Sequence, residues 1–446
     1  MALGQAPGRY APPLTAERVG SGKPPGPTPV AVMQIETLDQ VTPPPGRAGG
    51  RALLAENIHP GAADVLAAAG FEVEHLSHAL GHEELVERIA DVELLGVRSG
   101  TQVTEDVLAA GRRLLAVGAF CIGTNQIDLA GAARRGTAVF NAPFSNTRSV
   151  VELALAEIIA LTRGLTGKSR SMHAGRWDKS AAGSHEVRGR RLGIVGYGNI
   201  GTQLSVLAEN LGMSVSYFDT ADRLALGNAR RCTSMTELLG EVDVVTLHVD
   251  GRPDNRMMFG ESELSAMRKG ALFLNLSRGF VVDHAALARH ITEGHLAGAA
   301  VDVFATEPSS SAEPFMSELQ GLDNVILTPH IGGSTEEAQV DIGGFVANKL
   351  VDYVRRGTTS LSVNLPNLEL AQRSGSHLLV HIHRNTPGVL AAINAIFAEH
   401  RVNIEGQALA TRGDIGYVIT DIARDYTEDM LARLEHMDYT IRLRLM

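Results

Sequence analysis

The chain of 446 residues contains only two cysteines, Cys121 and Cys232. Two thiols cannot build a disulfide framework or a CxxC metal site, so we expect no resident metal and a reduced, cytoplasmic setting. The sequence also lacks an apolar run of the roughly 18–20 residues that cross a bilayer. It has no basic excess, since its formal net charge is −10. Neither a nucleic acid nor a membrane surface is therefore expected as its main partner.

The first 48 residues have little apolar periodicity and many prolines and glycines. Such a segment cannot bury enough surface to offset the entropy cost of ordering, so we predict a disordered extension over residues 1–48. No apolar stretch follows a basic start, which argues against a signal peptide. An alternative is that translation starts at Met33.

The most informative motif is a glycine triplet that follows a short apolar run. Gly196, Gly198 and Gly201 have the spacing G-x-G-x-x-G, which is typical of the turn between a strand and a helix that holds a dinucleotide pyrophosphate. A second predicted strand, 213–218, ends at Asp219. An acid at this position accepts hydrogen bonds from both ribose hydroxyls and repels a 2′-phosphate, so the sequence predicts NAD rather than NADP.

Predicted strands and helices alternate along most of the chain, a pattern typical of parallel sheets covered by helices. The turn-rich stretch 141–147 interrupts this alternation before the glycine motif. We therefore predict an α/β protein with two Rossmann-like, doubly wound parallel-sheet domains. Residues 49–145 and 333–366 are expected to form a substrate-binding domain and residues 146–332 the NAD-binding domain. Substrate is expected in the cleft between them.

Three polar residues stand just past three predicted strands downstream of the glycine motif. They are Arg278, Glu307 and His330, and because parallel strands end at one edge of a sheet we expect them to share a crevice. Arg278 can hold a substrate carboxylate and polarise a carbonyl. His330 can exchange the hydroxyl proton during hydride transfer, since its pKa is near neutrality. Glu307 would fix the imidazole tautomer and stabilise the charged form.

These segments together resemble the D-isomer-specific 2-hydroxyacid dehydrogenases. The similarity runs from about residue 53 to the C-terminus and is carried by FCIGTNQ at 120–126, NAPFSNTRS at 141–149, the glycine motif, SRG at 277–279, VDVF at 301–304 and LTPHIGGST at 327–335. The resemblance implies that Arg278, Glu307 and His330 are the catalytic residues. It also implies an NAD-contacting set that consists of Gly196, Gly198, Asn199, Ile200, Gly201, Asp219, Leu276, Asp302, Gly332 and Gly333.

Within this family the chain is similar to the branch that oxidises 3-phospho-D-glycerate. The resemblance implies substrate contacts from Arg98 and Ser99 after a predicted strand, from Asn146 in the interdomain stretch, and from Lys179 on a loop that reaches the neighbouring subunit. One position departs from the pattern. Close relatives have a second arginine, in R-S-R-T, where this chain has Gly100. The missing charge predicts weaker phosphate affinity or a broader substrate range.

The C-terminal part alternates strand, helix, strand, strand, helix, strand, which is the ferredoxin-like order. After a predicted linker at 364–375, residues 376–446 resemble an ACT domain, a small-ligand regulatory module. The resemblance implies that L-serine binds where two such domains pair side by side, in contact with His383, Asn385 and Asn403. The alternative for the segment around Asn385 is an ordinary turn, because Asn-Thr-Pro-Gly is a strong turn sequence on any fold.

We therefore expect a cytoplasmic homotetramer that oxidises 3-phospho-D-glycerate with NAD to 3-phosphooxypyruvate, the first step of serine synthesis, under inhibition by L-serine. Reduction of 2-oxoglutarate is a further expected activity. One alternative is a reductase of another 2-keto acid, such as hydroxypyruvate or glyoxylate. Another is an NAD-sensing corepressor on the same scaffold. The C-terminal ligand module and the lack of a basic or peptide-recruiting feature favour the enzyme.

Overall fold

The computed structural model describes residues 49–308, 313–370, 377–423 and 426–446. The predicted disordered extension, residues 1–48, lies outside them. The described residues form two parallel α/β sheets and one antiparallel sheet at the C-terminus, which confirms the predicted fold class. Among their helices none combines the length and apolar character that a membrane span requires.

The first domain contains a five-stranded parallel sheet. Its elements are β1 (Arg51–Leu54), α1 (Pro60–Ala68), β2 (Glu72–His75), α2 (His82–Arg88), β3 (Val92–Val97), α3 (Glu105–Ala110), β4 (Ala116–Ala119), α4 (Leu129–Arg134) and β5 (Ala138–Asn141). The strand order is β2-β1-β3-β4-β5. Strands β3, β4 and β5 are buried along their whole length, because helices cover both faces of such a sheet.

The second domain contains a seven-stranded parallel sheet. Its elements are α5 (Thr147–Arg163), α6 (Leu165–His173), β6 (Arg191–Val195), α7 (Asn199–Asn210), β7 (Ser214–Phe218), β8 (Arg230–Arg231), α8 (Met235–Glu241), β9 (Val244–Leu247), α9 (Glu261–Ala266), β10 (Ala271–Asn275), α10 (His284–Thr292), β11 (Leu296–Val301) and β12 (Val325–Leu327). The strand order is β8-β7-β6-β9-β10-β11-β12. It reverses direction between β6 and β9, and ligands of open α/β sheets bind at such a switch point.

The chain passes between the two sheets twice. The first crossing leads from β5 into α5, which packs on α7 and β10 of the second domain. The second leads from β12 into α11 (Glu336–Arg356), which returns to pack on α1 and β4 of the first domain. Val346, Leu350 and Tyr353 of this long helix join the buried core around Phe120 and Phe140. Each domain is therefore completed by a helix that follows a crossing.

The C-terminal domain has the ferredoxin-like order. Its elements are β13 (His377–Arg384), α12 (Val389–Glu399), β14 (Ile404–Arg412), β15 (Ile415–Ile422), α13 (Glu428–Glu435) and β16 (Thr440–Leu445), and the antiparallel strand order is β14-β15-β13-β16. One face of the sheet, with Leu379 and Val418, packs on the two helices. The opposite face, with Val380 and Tyr417, shares a buried core with Tyr353 of α11. The small sheet is thus docked on the first domain.

The predicted linker at 364–375 begins differently from the expectation. Asn364 is buried; its Oδ1 accepts a hydrogen bond from the backbone N of Val139 at 2.8 Å, and its Nδ2 donates to the carbonyl O of Thr137 at 2.9 Å. Leu365 is fully buried in the core of the first domain. The start of this segment is therefore held against the edge strand β5. Residues 371–376 lie outside the described part of the chain.

Candidate active site

The loop between β6 and α7 shows what each glycine of the motif does. Gly196 has φ +91°, and a Cβ there would lie 2.5 Å from the carbonyl O of His248. A Cβ at Gly201 would lie 2.3 Å from the carbonyl O of Gly196, so α7 packs directly on the turn. A Cβ at Gly198 would meet nothing within 4 Å. The open space in front of the uncapped start of α7 fits a pyrophosphate.

Asp219 lies at the end of β7 beside this loop. Its Oδ2 accepts a hydrogen bond from the backbone N of Tyr197, and its Oδ1 accepts one from the backbone N of Ala221, both at 2.8 Å. These bonds fix the carboxylate next to the glycine loop and leave lone pairs on both oxygens for ribose hydroxyls. Asn199 and Ile200, two further predicted NAD contacts, form the first turn of α7. The residues present therefore fit an NAD site.

His330 and Glu307 form a hydrogen-bonded pair. His330 Nδ1 lies 2.8 Å from Glu307 Oε2, and Glu307 Oε1 accepts a hydrogen bond from the backbone N of Phe304 at 3.0 Å. The hydrogen bond to Glu307 raises the pKa of His330 in spite of partial burial. Burial works to raise the pKa of Glu307, but the hydrogen bonds from His330 and Phe304 hold it below its usual value. Nε2 is left as the ring nitrogen that can exchange a proton with substrate.

The backbone of His330 has φ +55°, a left-handed conformation that costs a non-glycine residue on the order of 1 kcal/mol or more. The buried carboxylate of Asp302 holds this loop in place. Its Oδ1 accepts hydrogen bonds from Thr328 Oγ1 at 2.7 Å and Ile331 N at 2.8 Å, and its Oδ2 accepts one from Gly332 N at 2.8 Å. Sequence reasoning placed Asp302 against NAD. Its contacts in the structure are to the loop that contains His330, and the NAD contact stays a prediction.

Arg278 lies past the end of β10 and faces the first domain. Its Nη2 is 3.1 Å from the position that a Cβ of Gly123 would take, and its Nε is 3.4 Å from that of Gly251. Gly123 follows β4, so the guanidinium group lies across the cleft between the two sheets. Asn275 steadies the backbone by donating from Nδ2 to the carbonyl O of Arg278 at 3.1 Å. Among the described residues no carboxylate forms an ion pair with Arg278, which leaves it free for an anionic substrate.

The loop with Arg98 and Ser99 is organised by a residue that sequence reasoning missed. The Glu56 carboxylate accepts hydrogen bonds from the backbone N of Arg98 at 3.0 Å and from those of Gly100 and Thr101 at 2.8 Å. The sequence did show an acid just past the end of β1, which could have been noticed. Its contact with the Arg98 loop depends on the pairing of β1 with β3, which brings the two strand ends together, and the sequence does not show that pairing. Glu56 fixes the loop and leaves the Arg98 side chain half-buried and Ser99 exposed.

Asn146 lies in the first crossing and contacts the second. Its Nδ2 is 2.1 Å from the position that a Cβ of Gly333 would take, so only glycine fits opposite it. Its Oδ1 is buried and has no hydrogen-bond partner among the described residues. A buried, unpaired amide oxygen carries a free-energy cost that a ligand donor would remove. Leu276, the remaining predicted NAD contact, is buried at the end of β10.

Lys179 lies apart from these groups. It is exposed on the loop between α6 and β6, close to Trp177, whose side chain is 78% exposed. In the part of the chain that the structure describes, Lys179 has no hydrogen-bond or ion-pair partner. A single chain thus gives it no role, and its predicted contact with a neighbouring subunit's substrate stays a prediction.

The three predicted effector residues are divided between two places. His383 is buried near the end of β13, with Nδ1 2.8 Å from the carbonyl O of Arg384, and Asn385 follows on the exposed turn. Asn403 immediately precedes β14. The first residue of β14, Ile404, is paired with Ile422 of β15, and Ile422 is in turn paired with His377, at the opposite end of β13 from His383. At about 3.3 Å per residue, roughly 25 Å separate the two ends. The structure brings His383 and Asn385 together and places Asn403 elsewhere.

Comparison with known proteins identifies the two parts of the chain. Residues 155–332 match the D-isomer specific 2-hydroxyacid dehydrogenase NAD binding domain, and residues 379–442 match an ACT domain like that of the AHAS small subunit. A D-3-phosphoglycerate dehydrogenase of Escherichia coli (strain K12) is 50% identical over 397 residues, which are 88% of this chain and 97% of the relative. One of Dictyostelium discoideum is 47% identical over 394 residues, covering 88% and 96%.

Comparison with solved structures points to the same family. A D-lactate dehydrogenase of Aquifex aeolicus complexed with NAD and lactic acid is 25% identical with a TM-score of 0.61, and the match covers 68% of this chain and 95% of that one. NAD is the cofactor, since the matched domain binds NAD in this family and the glycine loop and Asp219 fit it. The chain therefore belongs to the D-isomer-specific 2-hydroxyacid dehydrogenase family and is an NAD-dependent dehydrogenase related to the D-3-phosphoglycerate dehydrogenases.

Proposed function

We propose that this dehydrogenase oxidises 3-phospho-D-glycerate to 3-phosphooxypyruvate. The observation that carries the proposal is the 2.8 Å hydrogen bond between His330 and Glu307, at the edge of the cleft where Arg278 faces the first domain. The name shared by the curated relatives supports the choice of substrate. The reaction would supply the 2-keto acid from which serine is made.

Each group of the site has one task in this reaction. Arg278 holds the substrate carboxylate and polarises the carbon–oxygen bond of the reacting carbon. His330 Nε2 takes the hydroxyl proton, and the Glu307 carboxylate stabilises the imidazolium that results. The glycine loop and Asp219 would hold NAD, which would supply the hydride acceptor. The buried Asp302 keeps the imidazole in position by holding the loop on either side of it.

The phosphate of the substrate needs positively charged or hydrogen-bond-donating groups on the first domain's side of the cleft. We assign it to the Arg98–Ser99 loop and to Lys179 of a neighbouring chain in a homotetramer. Gly100 supplies no charge beside them, and this favours a second activity, reduction of the phosphate-free 2-oxoglutarate. Steady-state NADH oxidation with 3-phosphooxypyruvate, 2-oxoglutarate and hydroxypyruvate tests the assignment. We expect the highest kcat/KM with 3-phosphooxypyruvate, and a higher value with hydroxypyruvate would overturn it.

We also propose that L-serine inhibits the enzyme by binding between two ACT domains. In one chain Asn385 lies at one end of the C-terminal sheet and Asn403 at the other, so one small amino acid can contact both only if the two residues come from different chains. The turn at Asn385 is prepared for this role, because its backbone N and side chain are fixed by the carbonyl O atoms of Asp414 at 2.8 Å and Gly413 at 3.0 Å.

Mixed oligomers test this arrangement. Asn385→Ala and Asn403→Ala should each abolish serine inhibition while leaving turnover near that of the unmodified enzyme. When the two variant chains are co-assembled, one of the two sites in each mixed pair of ACT domains contains both asparagines, so partial inhibition should return. Inhibition that stays absent in the mixed oligomer would show that the two residues do not act across chains. Inhibition that survives in both single variants would exclude these residues from the site.

A further inference from the structure

A basic cleft lies between the first domain and the ACT domain. Its volume is about 960 Å³, and a single aspartate, Asp414, is the one acid among its lining residues. Five arginines also line it, namely Arg112, Arg134, Arg135, Arg384 and Arg442. Such a concentration of positive charge is unexpected in a chain with a net charge of −10. These arginines need negative counter-charges, because like charges that line one cleft repel.

Most of this positive charge is not neutralised by the protein. Arg134 and Arg135 share Glu105, at 3.0 and 2.8 Å. In the described residues Arg112, Arg384 and Arg442 have no carboxylate within ion-pair distance. Arg442 is half-buried, its Nη1 donates to the carbonyl O of Leu114 at 2.6 Å, and burial lowers its pKa. A cation that is partly removed from water without a counter-ion is costly.

The cleft is distinct from the active site. On the first domain it is lined by Arg112, which precedes β4, and by Thr137, which precedes β5, so it lies at the amino ends of the parallel strands. The catalytic loops follow the carboxyl ends of strands, as Gly123 does after β4. On the ACT domain the lining comes from the end of β13, the turn after it with Asn385, the turn between β14 and β15, and the start of β16. The cleft therefore spans two domains.

We propose that this cleft binds a phosphate group, either free or as a monoester of a small metabolite, and that the bound anion bridges the two domains. A phosphate carries up to two charges and three or more acceptor oxygens, and each planar guanidinium can donate to two of them. Arginines supplied by two domains suit a tetrahedral anion, whose oxygens point in several directions, better than a planar carboxylate. The volume leaves room for an organic group beyond the phosphate.

Calorimetric titration of the full-length protein with inorganic phosphate tests the site. The double variant Arg112→Gln/Arg384→Gln should bind phosphate at least tenfold more weakly. Arg113→Gln is the matched control, since Arg113 is the neighbouring exposed arginine, pairs with Glu93 and does not line the cleft. Arg98→Gln, which removes a predicted anion contact of the active site, should keep the cleft's binding. Undiminished binding by the double variant, or complete loss in Arg98→Gln, would refute the proposal.

Two further measurements complete the test. Phosphate should raise the midpoint of thermal unfolding of the unmodified protein and of Arg113→Gln, because a ligand stabilises the state that binds it. It should not raise the midpoint of the double variant. If the double variant does not fold, the single variant Arg112→Gln replaces it. Glycerol 2-phosphate then distinguishes the sources, because tighter binding than inorganic phosphate indicates a monoester and weaker binding indicates the free ion. Citrate that binds more tightly than both would show that the cleft is not a phosphate site.

Discussion

Replacing Glu157 with glutamine should stabilise this protein at neutral pH, and the gain should increase with pH. Glu157 lies on α5 and is only 3% exposed. Neither of its carboxyl oxygens has a hydrogen-bond partner among the described residues. Burial, together with the negative charge of Asp302, raises its pKa to about 8. At neutral pH the folded protein therefore keeps this carboxyl protonated, whereas the unfolded chain ionises it near its ordinary value of 4.5.

The sign of the effect follows from the two pKa values. Below pH 4.5 both states hold the proton, and this group gives no pH dependence. Between pH 4.5 and about 8 the unfolded state loses the proton first, so stability falls as the pH rises. At about 1.4 kcal/mol per pH unit, the cost reaches about 4 kcal/mol at pH 7.5. A glutamine has nearly the same shape and does not ionise, so it should recover about 2–4 kcal/mol of this amount.

Urea unfolding at fixed protein concentration from pH 5 to 9 measures this difference. The free energy of unfolding of Glu157→Gln should exceed that of the unmodified protein by an amount that grows up to pH 8 and then levels. Glu152→Gln is the matched control, because Glu152 is on the same helix but is exposed and pairs with Arg148; its curve should run parallel to that of the unmodified protein. Parallel curves for Glu157→Gln would show that Glu157 is already ionised in the folded state.

Three further predictions concern the site. Glu307→Gln should lower the pKa of His330, moving the rising limb of the pH profile of oxidation to lower pH while kcat falls at least tenfold; an unmoved limb would contradict the pairing. Gly201→Ala should cost about 1–3 kcal/mol of stability in denaturant unfolding, because the new Cβ meets backbone, whereas Gly198→Ala should leave stability nearly unchanged and weaken NAD binding in a titration. Lys179→Ala should raise KM for 3-phosphoglycerate far more than KM for NAD, and equal increases would remove Lys179 from the phosphate site.

Local sequence signals were sufficient for the fold class. The glycine triplet, the acid at Asp219 and the alternation of strands and helices depend on short-range sterics and on hydrophobic period, both of which can be recognised without neighbours in space. Helix α5 ends at Gly164, which takes a left-handed conformation with φ +60°, and a second helix, α6, which was not predicted, begins directly after it. A glycine inside an apolar pattern does not by itself show that a helix stops there.

The sequence predicted those site residues that directly follow a strand. Arg278, Glu307 and His330 each follow a strand, and parallel strands end at a common edge. The residues that hold these loops in place could not be predicted in the same way. Glu56 reaches the Arg98 loop because β1 pairs with β3, and Asp302 holds the loop of His330 because β11 pairs with β12.

The sequence by itself determined the order of elements, the glycine turn and which polar residues follow the strands of the second domain, because these depend on residue type and on spacing along the chain. Tertiary structure alone decided what lies at domain contacts. It held Asn364 against β5, placed Asn385 and Asn403 at opposite ends of the C-terminal sheet, and brought Arg112 and Arg384 to the same cleft. Such contacts join segments that are far apart in the chain, so only the packing of whole domains fixes which charges come together.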